Sequence, residues 1–184
     1  MEIAKLIASF LTPLTIALVG LLVQRTLAAQ NRAWQLEDRL IAKRMDIYEK
    51  IAEDLNRIYC YVMDVGDFKD ETPDAILAAK RSVDRVMFIY QAIWSEETFK
   101  HFNEYMDSSF AHFQGVGEDA KIRAKVLEKK ASRLKRAKKW PANWDARFTD
   151  ERDPAHRGKH QELMNSISKD LMHSVGRINS RDRG

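Results

Sequence analysis

Cysteine is almost absent from the sequence. Cys60 is alone among 184 residues, so no intrachain disulfide can form and thiol usage gives no sign of an oxidising compartment. It lies in the apolar run Ile58-Tyr59-Cys60-Tyr61-Val62, where a small buried hydrophobe is the expected role. Glycine (7) and proline (4) are also scarce. A β-rich chain needs many turns, so this scarcity argues against a sandwich or barrel and for a few long helices. Catalytic signatures are missing as well: the sequence has no Walker A loop, GxGxxG, GxSxG or paired cysteines.

Charge is missing from one stretch. Between Lys5 and Arg25 no residue is ionisable, and Leu6 to Gln24 reads LIASFLTPLTIALVGLLVQ. As a helix this run is about 28 Å long, close to the hydrocarbon thickness of a bilayer. Pro13 lies inside it, and membrane helices tolerate such a kink. The run from Leu6 through Pro13 to Val23 is therefore expected to be a transmembrane anchor, with residues 1–24 as its segment. A cleaved signal peptide ending near Leu27-Ala28-Ala29 is the competing reading. Against it stand the length of the run, the offset of Lys5 by Glu2, and Arg25 just before the cut. The C-terminal flank carries Arg25, Arg32, Arg39, Lys43 and Arg44, which predicts an external N-terminus and a cytosolic domain.

The rest of the chain, residues 25–178, reads as an all-α domain, an antiparallel helical bundle, followed by a disordered tail at 179–184. No proline or glycine occurs between Gln24 and Val65, and Ile41, Met45, Tyr48, Ala52, Leu55, Tyr59 and Val62 are spaced as a heptad seam or, equally, as the inner stripe of a bundle helix. The anchor is thus expected to run on as one helix, ended by Gly66. Thr72-Pro73-Asp74 caps a second helix with Ile76, Ala79, Val83, Val86, Met87, Tyr90 and Ile93 on one face. Ser95-Glu96-Glu97 caps a third, carrying Phe99, Phe102, Met106, Phe110 and Phe113 and ended by Gly115 and Gly117. A fourth is expected over 118–139. A fifth starts at Asp153-Pro154, with Leu163, Ile167, Leu171, Val175 and Ile178 inward.

Little in the domain suggests catalysis. His156 and His160 stand four apart, but Arg157 occupies the place of the HExxH glutamate, so both read as solvated surface histidines and no metal or cofactor site is expected. The acids Asp64, Asp67, Asp70 and Asp74 lack EF-hand spacing and read as a solvated loop. The strongest signal is basic. Residues 1–116 hold 13 cations and 17 acids, whereas residues 117–184 hold 18 and 10. Ten of those cations (Lys121, Arg123, Lys125, Lys129, Lys130, Arg133, Lys135, Arg136, Lys138 and Lys139) surround the single acid Glu128, and Trp140 and Trp144 follow. Three readings stand together: a solvated helix packed through Ile122, Val126 and Leu134; a contact with anionic lipid, with the tryptophans at the bilayer interface; and a contact with nucleic-acid phosphates.

The layout of an apolar N-terminal helix leading into a helical domain resembles small single-span membrane proteins of RNA-targeting CRISPR and other phage-defence loci, in which a diverged HEPN-type bundle follows the anchor. The resemblance is one of architecture. It implies an oligomer in the bacterial inner membrane. Active HEPN ribonucleases carry Arg, four to six residues, then His; here the nearest case, Arg152 and His156, has three residues between, so no catalytic residue is carried over. The expected function is a non-enzymatic, membrane-anchored helical protein that acts by self-association or partner binding, in the narrower form a phage-defence effector that perturbs the inner membrane. The alternative is a membrane-tethered nucleic-acid-binding protein, or an unrecognised nuclease, using residues 121–139.

Overall fold

The computed structural model describes residues 2–112, 115 and 119–172, with the side chains of 2–18, 29 and 33 excepted. The chain is mostly helical. Helix α1 is Glu2–Met63, α2 Pro73–Ile89, α3 Glu96–Ser109, α4 Val126–Leu134 and α5 His156–Met172. Short 3-10 turns occupy Gln91–Ile93 and Ala142–Arg147, and a two-stranded antiparallel ladder joins β1, Phe110–Ala111, to β2, Lys121–Ile122. The chain divides into two compact units, Met1–Leu40 and Ile41–Gly184.

In the first unit the apolar side chains stand in the open. Val19, Leu21, Leu22, Val23, Leu27, Trp34, Leu36 and Leu40 are between 39% and 66% exposed. Among the described residues no helix is long and apolar enough to cross a membrane. Most of the predicted span, including Leu6 and Pro13, has side chains outside those described.

The second unit is built on the later part of α1. Ile47, Ile51, Leu55, Ile58 and Val62 are at most 2% exposed. This corrects the predicted seam. Of its members only Leu55 and Val62 are buried, and Met45 is 41% exposed. A helix packed against several others buries a stripe that drifts with the 3.6-residue period, whereas a strict 3.5-residue seam suits a single supercoiled partner. The apolar stripe beyond Ile47 is therefore internal core.

Local signals fix the ends of the next two helices. The α1 helix stops at Met63, three residues before Gly66, because Asp64 adopts φ +60° and Val65 N–H donates back to the Cys60 carbonyl at 3.0 Å. This is the six-to-one bond of a Schellman turn; Gly66 follows at φ +59°. Thr72 caps α2 as predicted, its Oγ1 accepting from Ala75 N–H at 3.1 Å. Ile76, Ala79, Val83 and Met87 are buried, and Val86, Tyr90 and Ile93 pack against the core. Ser95 Oγ accepts from Thr98 N–H at 3.1 Å and starts α3.

Beyond α3 the predicted helices need correction. Phe110 lies in a strand, where it pairs with Ile122, so α3 ends at Ser109, well before the expected glycines; Phe113 and Gly117 fall outside the described residues. The predicted helix over 118–139 is only Val126–Leu134. Its first part is claimed by non-local partners: Lys121–Ile122 joins β1, and Ile122 carbonyl accepts from Thr149 N–H at 3.0 Å. Ala137 at φ +55° marks the departure at the other end. The last helix starts at His156, with Asp153 Oδ1 accepting from Ala155 N–H at 2.8 Å. Leu163 and Ile167 are buried and Leu171 packs on the core; Val175, Ile178 and the tail 179–184 lie outside the described residues.

Candidate functional site

The basic run is in large part neutralised from within the chain. Lys129 is the centre. Its residue is 3% exposed, and its ammonium donates to the Tyr61 carbonyl and to Asp64 Oδ1, the latter at 2.6 Å. The same ammonium lies 4.5 Å from the Tyr61 ring centroid and 4.8 Å from that of Phe68. Burial lowers its pKa to about 8, against the opposing pull of Asp64. Arg152 also binds Asp64 and reaches Glu128 at 3.5 Å. Arg133 donates to the Glu71 carbonyl at 2.8 Å and sits over the Trp144 ring, 5.0 Å from its centroid. Arg136 and Lys138 both bind Asp70, which holds that carboxyl below its usual pKa, Lys138 most strongly.

The loop Asp64–Glu71 is thus the counter-charge of the basic run, not a merely solvated turn. Glu71 adds a bidentate pair with Arg57 at 2.7 and 2.9 Å. The signal was available in the sequence: an acidic loop and a basic run of opposite sign in one chain. Their separation of more than 60 residues is what hid it.

The tryptophans are also used inside the domain. Trp144 is 8% exposed and its indole N–H donates to Asp74 Oδ2 at 2.9 Å. Trp140 donates to Asp145 Oδ1 at 2.6 Å and lies over the Phe148 ring, 5.9 Å between centroids. Of the remaining cations, Lys130 reaches Asp145 at 3.3 Å, Lys125 reaches Glu128 at 3.7 Å, and Arg123 donates to the Asp107 carbonyl at 2.9 Å. Among the described residues Lys121, Lys135 and Lys139 make no side-chain ion pair.

The expectation of solvated histidines is overturned. His156 is fully buried and His160 half-buried. The His156 ring lies 5.9 Å from Tyr59 and 5.2 Å from Tyr105; its Nδ1 is 2.9 Å from Ser108 Oγ, and Nε2 has no partner among the described residues. Ser108 and His156 have the atoms of a nucleophile and base, but both are 0% exposed, so no substrate reaches them in this conformation. Both histidines are held below their usual pKa by burial, His156 at about 4. Their spacing of four marked the two histidines but not their burial, because their environment is assembled from α1, α3 and α5.

One group of side chains has the composition to hold a divalent cation. His101 Nδ1 is 3.2 Å from Glu104 Oε2 and 3.7 Å from Glu162 Oε2, joining α3 to α5. The same distances satisfy a plain histidine–carboxylate ion pair, and Glu162 is exposed. Between α2 and α3 an open cleft of about 810 Å³ is lined by Phe88, Ile89, Trp94 and Phe99 among others. The chain matches no protein-family model, and no curated protein or solved structure resembles it.

Proposed function

We propose that the chain is a non-enzymatic, membrane-anchored helical protein that acts by self-association or partner binding. The observation that supports this best is the apolar row of α1 from Val19 to Leu40, left exposed within its own unit and contiguous in sequence with the charge-free stretch Leu6–Gln24. A run of that length and hydropathy suits the interior of a bilayer. The basic flank from Arg25 to Arg44 then sets the N-terminus outside and the domain in the cytosol. The narrower form, an inner-membrane oligomer of phage defence that perturbs the bilayer, rests on the architectural resemblance alone.

Fractionation and mass test the reading. The full chain is expected to sediment with membranes and resist carbonate extraction, and deletion of residues 1–24 is expected to release it. In detergent, light scattering is expected to give a protein mass above the 21.4 kDa of one chain. A chain that stays in the supernatant, or a detergent monomer with no partner bound, would overturn the anchor or the association respectively.

A second reading, phosphate binding by the basic run, is favoured only by Lys121, Lys135 and Lys139, whose ammonium groups bond neither a carboxylate nor a carbonyl among the described residues. Each neutralised phosphate of duplex DNA contributes about −0.9 to the slope of log affinity on log salt. Ten free cations would give a slope near −9, three a slope near −3. A slope of about −3, abolished by Lys135→Glu with Lys139→Glu, is the result this reading expects for DNA. Retention on anionic vesicles but not on DNA would assign the same cations to lipid.

A further inference from the structure

We infer that identical copies of this chain pair in parallel through α1 residues 22–40, a deepening of the self-association proposed above and resting on it. Counted along the helix, positions 22, 26, 29, 33, 36 and 40 recur with 4-3-4-3-4 spacing, and they are Leu, Thr, Ala, Ala, Leu and Leu. This is the seam spacing of a supercoil. It differs in kind from the stripe beyond Ile47, which drifts with the straight-helix period and is used up as core. Here Leu22 is 55%, Leu36 66% and Leu40 39% exposed, so no described part of their own unit covers them. The polar member is neutralised locally: Thr26 Oγ1 donates to the Leu22 carbonyl at 2.9 Å, which leaves its methyl to face a partner.

The charges beside the seam say what the partner is. In the heptad register set by those positions, the residues just before each a position are Arg25, Arg32 and Arg39, and those just after the d positions at 29 and 36 are Gln30 and Glu37; Glu37 is half-buried and the other four are exposed. In an antiparallel pair of copies the arginines would face arginines. In a parallel pair each g residue faces the e residue five further along the other copy. Arg25 then meets Gln30, and Arg32 meets Glu37, in both directions across the pair. The next arginine, Arg39, would meet Arg44, but Arg44 is bonded to the Ile93 carbonyl and the Asp170 carbonyl, each at 2.8 Å. The seam therefore ends at Leu40. Two to three heptads associate weakly in solution, but chains anchored with the same orientation in one membrane are already parallel and at high local concentration.

Cross-linking reads the register. In a Cys60→Ser background Leu36→Cys places the only thiol on the seam, whereas Asn31→Cys places it on the opposite face. Oxidation of the full chain in membranes is expected to give a disulfide-linked dimer for Leu36→Cys at several times the yield for Asn31→Cys. Equal yields, or no dimer at Leu36→Cys, overturn the pairing. The uncross-linked mass in detergent separates the causes. A mass above the monomer without the seam cross-link means association through another surface, so the parallel stalk fails and self-association stands; a monomer means both fail. Arg32→Glu is expected to weaken the cross-link about fivefold, since it sets two like-charge pairs against the dimer, and Arg32→Glu with Glu37→Arg to restore it.

Discussion

Replacing Lys129 by alanine is expected to destabilise the second unit by about 3–5 kcal/mol, the cost of breaking a buried pair by removing one partner. Three groups lose their complement at once. Asp64 Oδ1 loses a bond of 2.6 Å, the Tyr61 carbonyl loses its donor, and the faces of Tyr61 and Phe68 lose the ammonium that lies over them. A void of three methylenes and an ammonium opens beside Trp140 and Arg133, which line the same pocket. Domains of this size hold only about 5–15 kcal/mol in total, so the variant should unfold at a much lower urea concentration, read by tryptophan fluorescence. Lys129→Met separates charge from volume. Its side chain refills the space, and Asp64 still has Arg152. It should recover only the packing part of the loss, because the Tyr61 carbonyl and Asp64 Oδ1 still lack the ammonium. A Lys129→Met variant as unstable as Lys129→Ala would show that the ammonium, rather than the packing, holds the loop to α4.

The same centre shows why some of the molecule was legible in the sequence and some was not. Thr72-Pro73 and Ser95-Glu96-Glu97 were read correctly because a cap is decided within four residues. The α2 face from Ile76 to Met87 and the α3 face from Phe99 to Met106 were read correctly because an amphipathic helix repeats its own instruction every turn. The seam over 41–62 is displaced by one position along the helix, since Ile47, Ile51 and Ile58 compete with Tyr48, Ala52 and Tyr59 and only the packing of the other helices decides. The basic run was hard to read for a different reason. Its density suggested an external anion, and part of that charge is met instead by Asp64, Asp70 and Asp145 of the same chain; charge pairing carries no periodicity from which to read it. Residues 121–122 have helix-compatible neighbours in sequence and a strand partner in space. In the first unit the exposed apolar residues are the reverse case. The sequence pattern there is strong, and no part of the described chain answers it.

Acid is expected to weaken the fold through His156. The sign follows from the hydrogen bonds around the ring. Ser108 Oγ and Ser109 Oγ both donate to the Tyr105 carbonyl, at 2.7 and 2.9 Å, so each offers only a lone pair to His156 Nδ1. The neutral tautomer that fits carries its proton on Nδ1 and donates to Ser108, leaving Nε2 bare. A second proton on Nε2 would be a buried cation with no acceptor, next to His160 and near Arg152 and Lys159; of the nearby charges only Asp153 favours it. The folded-state pKa is therefore about 4, well below that of an unfolded histidine near 6.5. Above about pH 6.5 both states are neutral at this site and its contribution is fully present. As pH falls from there towards 4 the unfolded chain takes up the proton first, and about 3 kcal/mol of stability is lost. His160, also depressed by burial, adds in the same direction. His156→Phe keeps the ring between Tyr59 and Tyr105 but cannot titrate. It should be less stable than the native chain at pH 7, where the Ser108 bond is missing, and should lose about 3 kcal/mol less than the native chain between pH 7 and pH 4. Parallel acid profiles for the two proteins would show that His156 is protonated, or exposed, before unfolding begins.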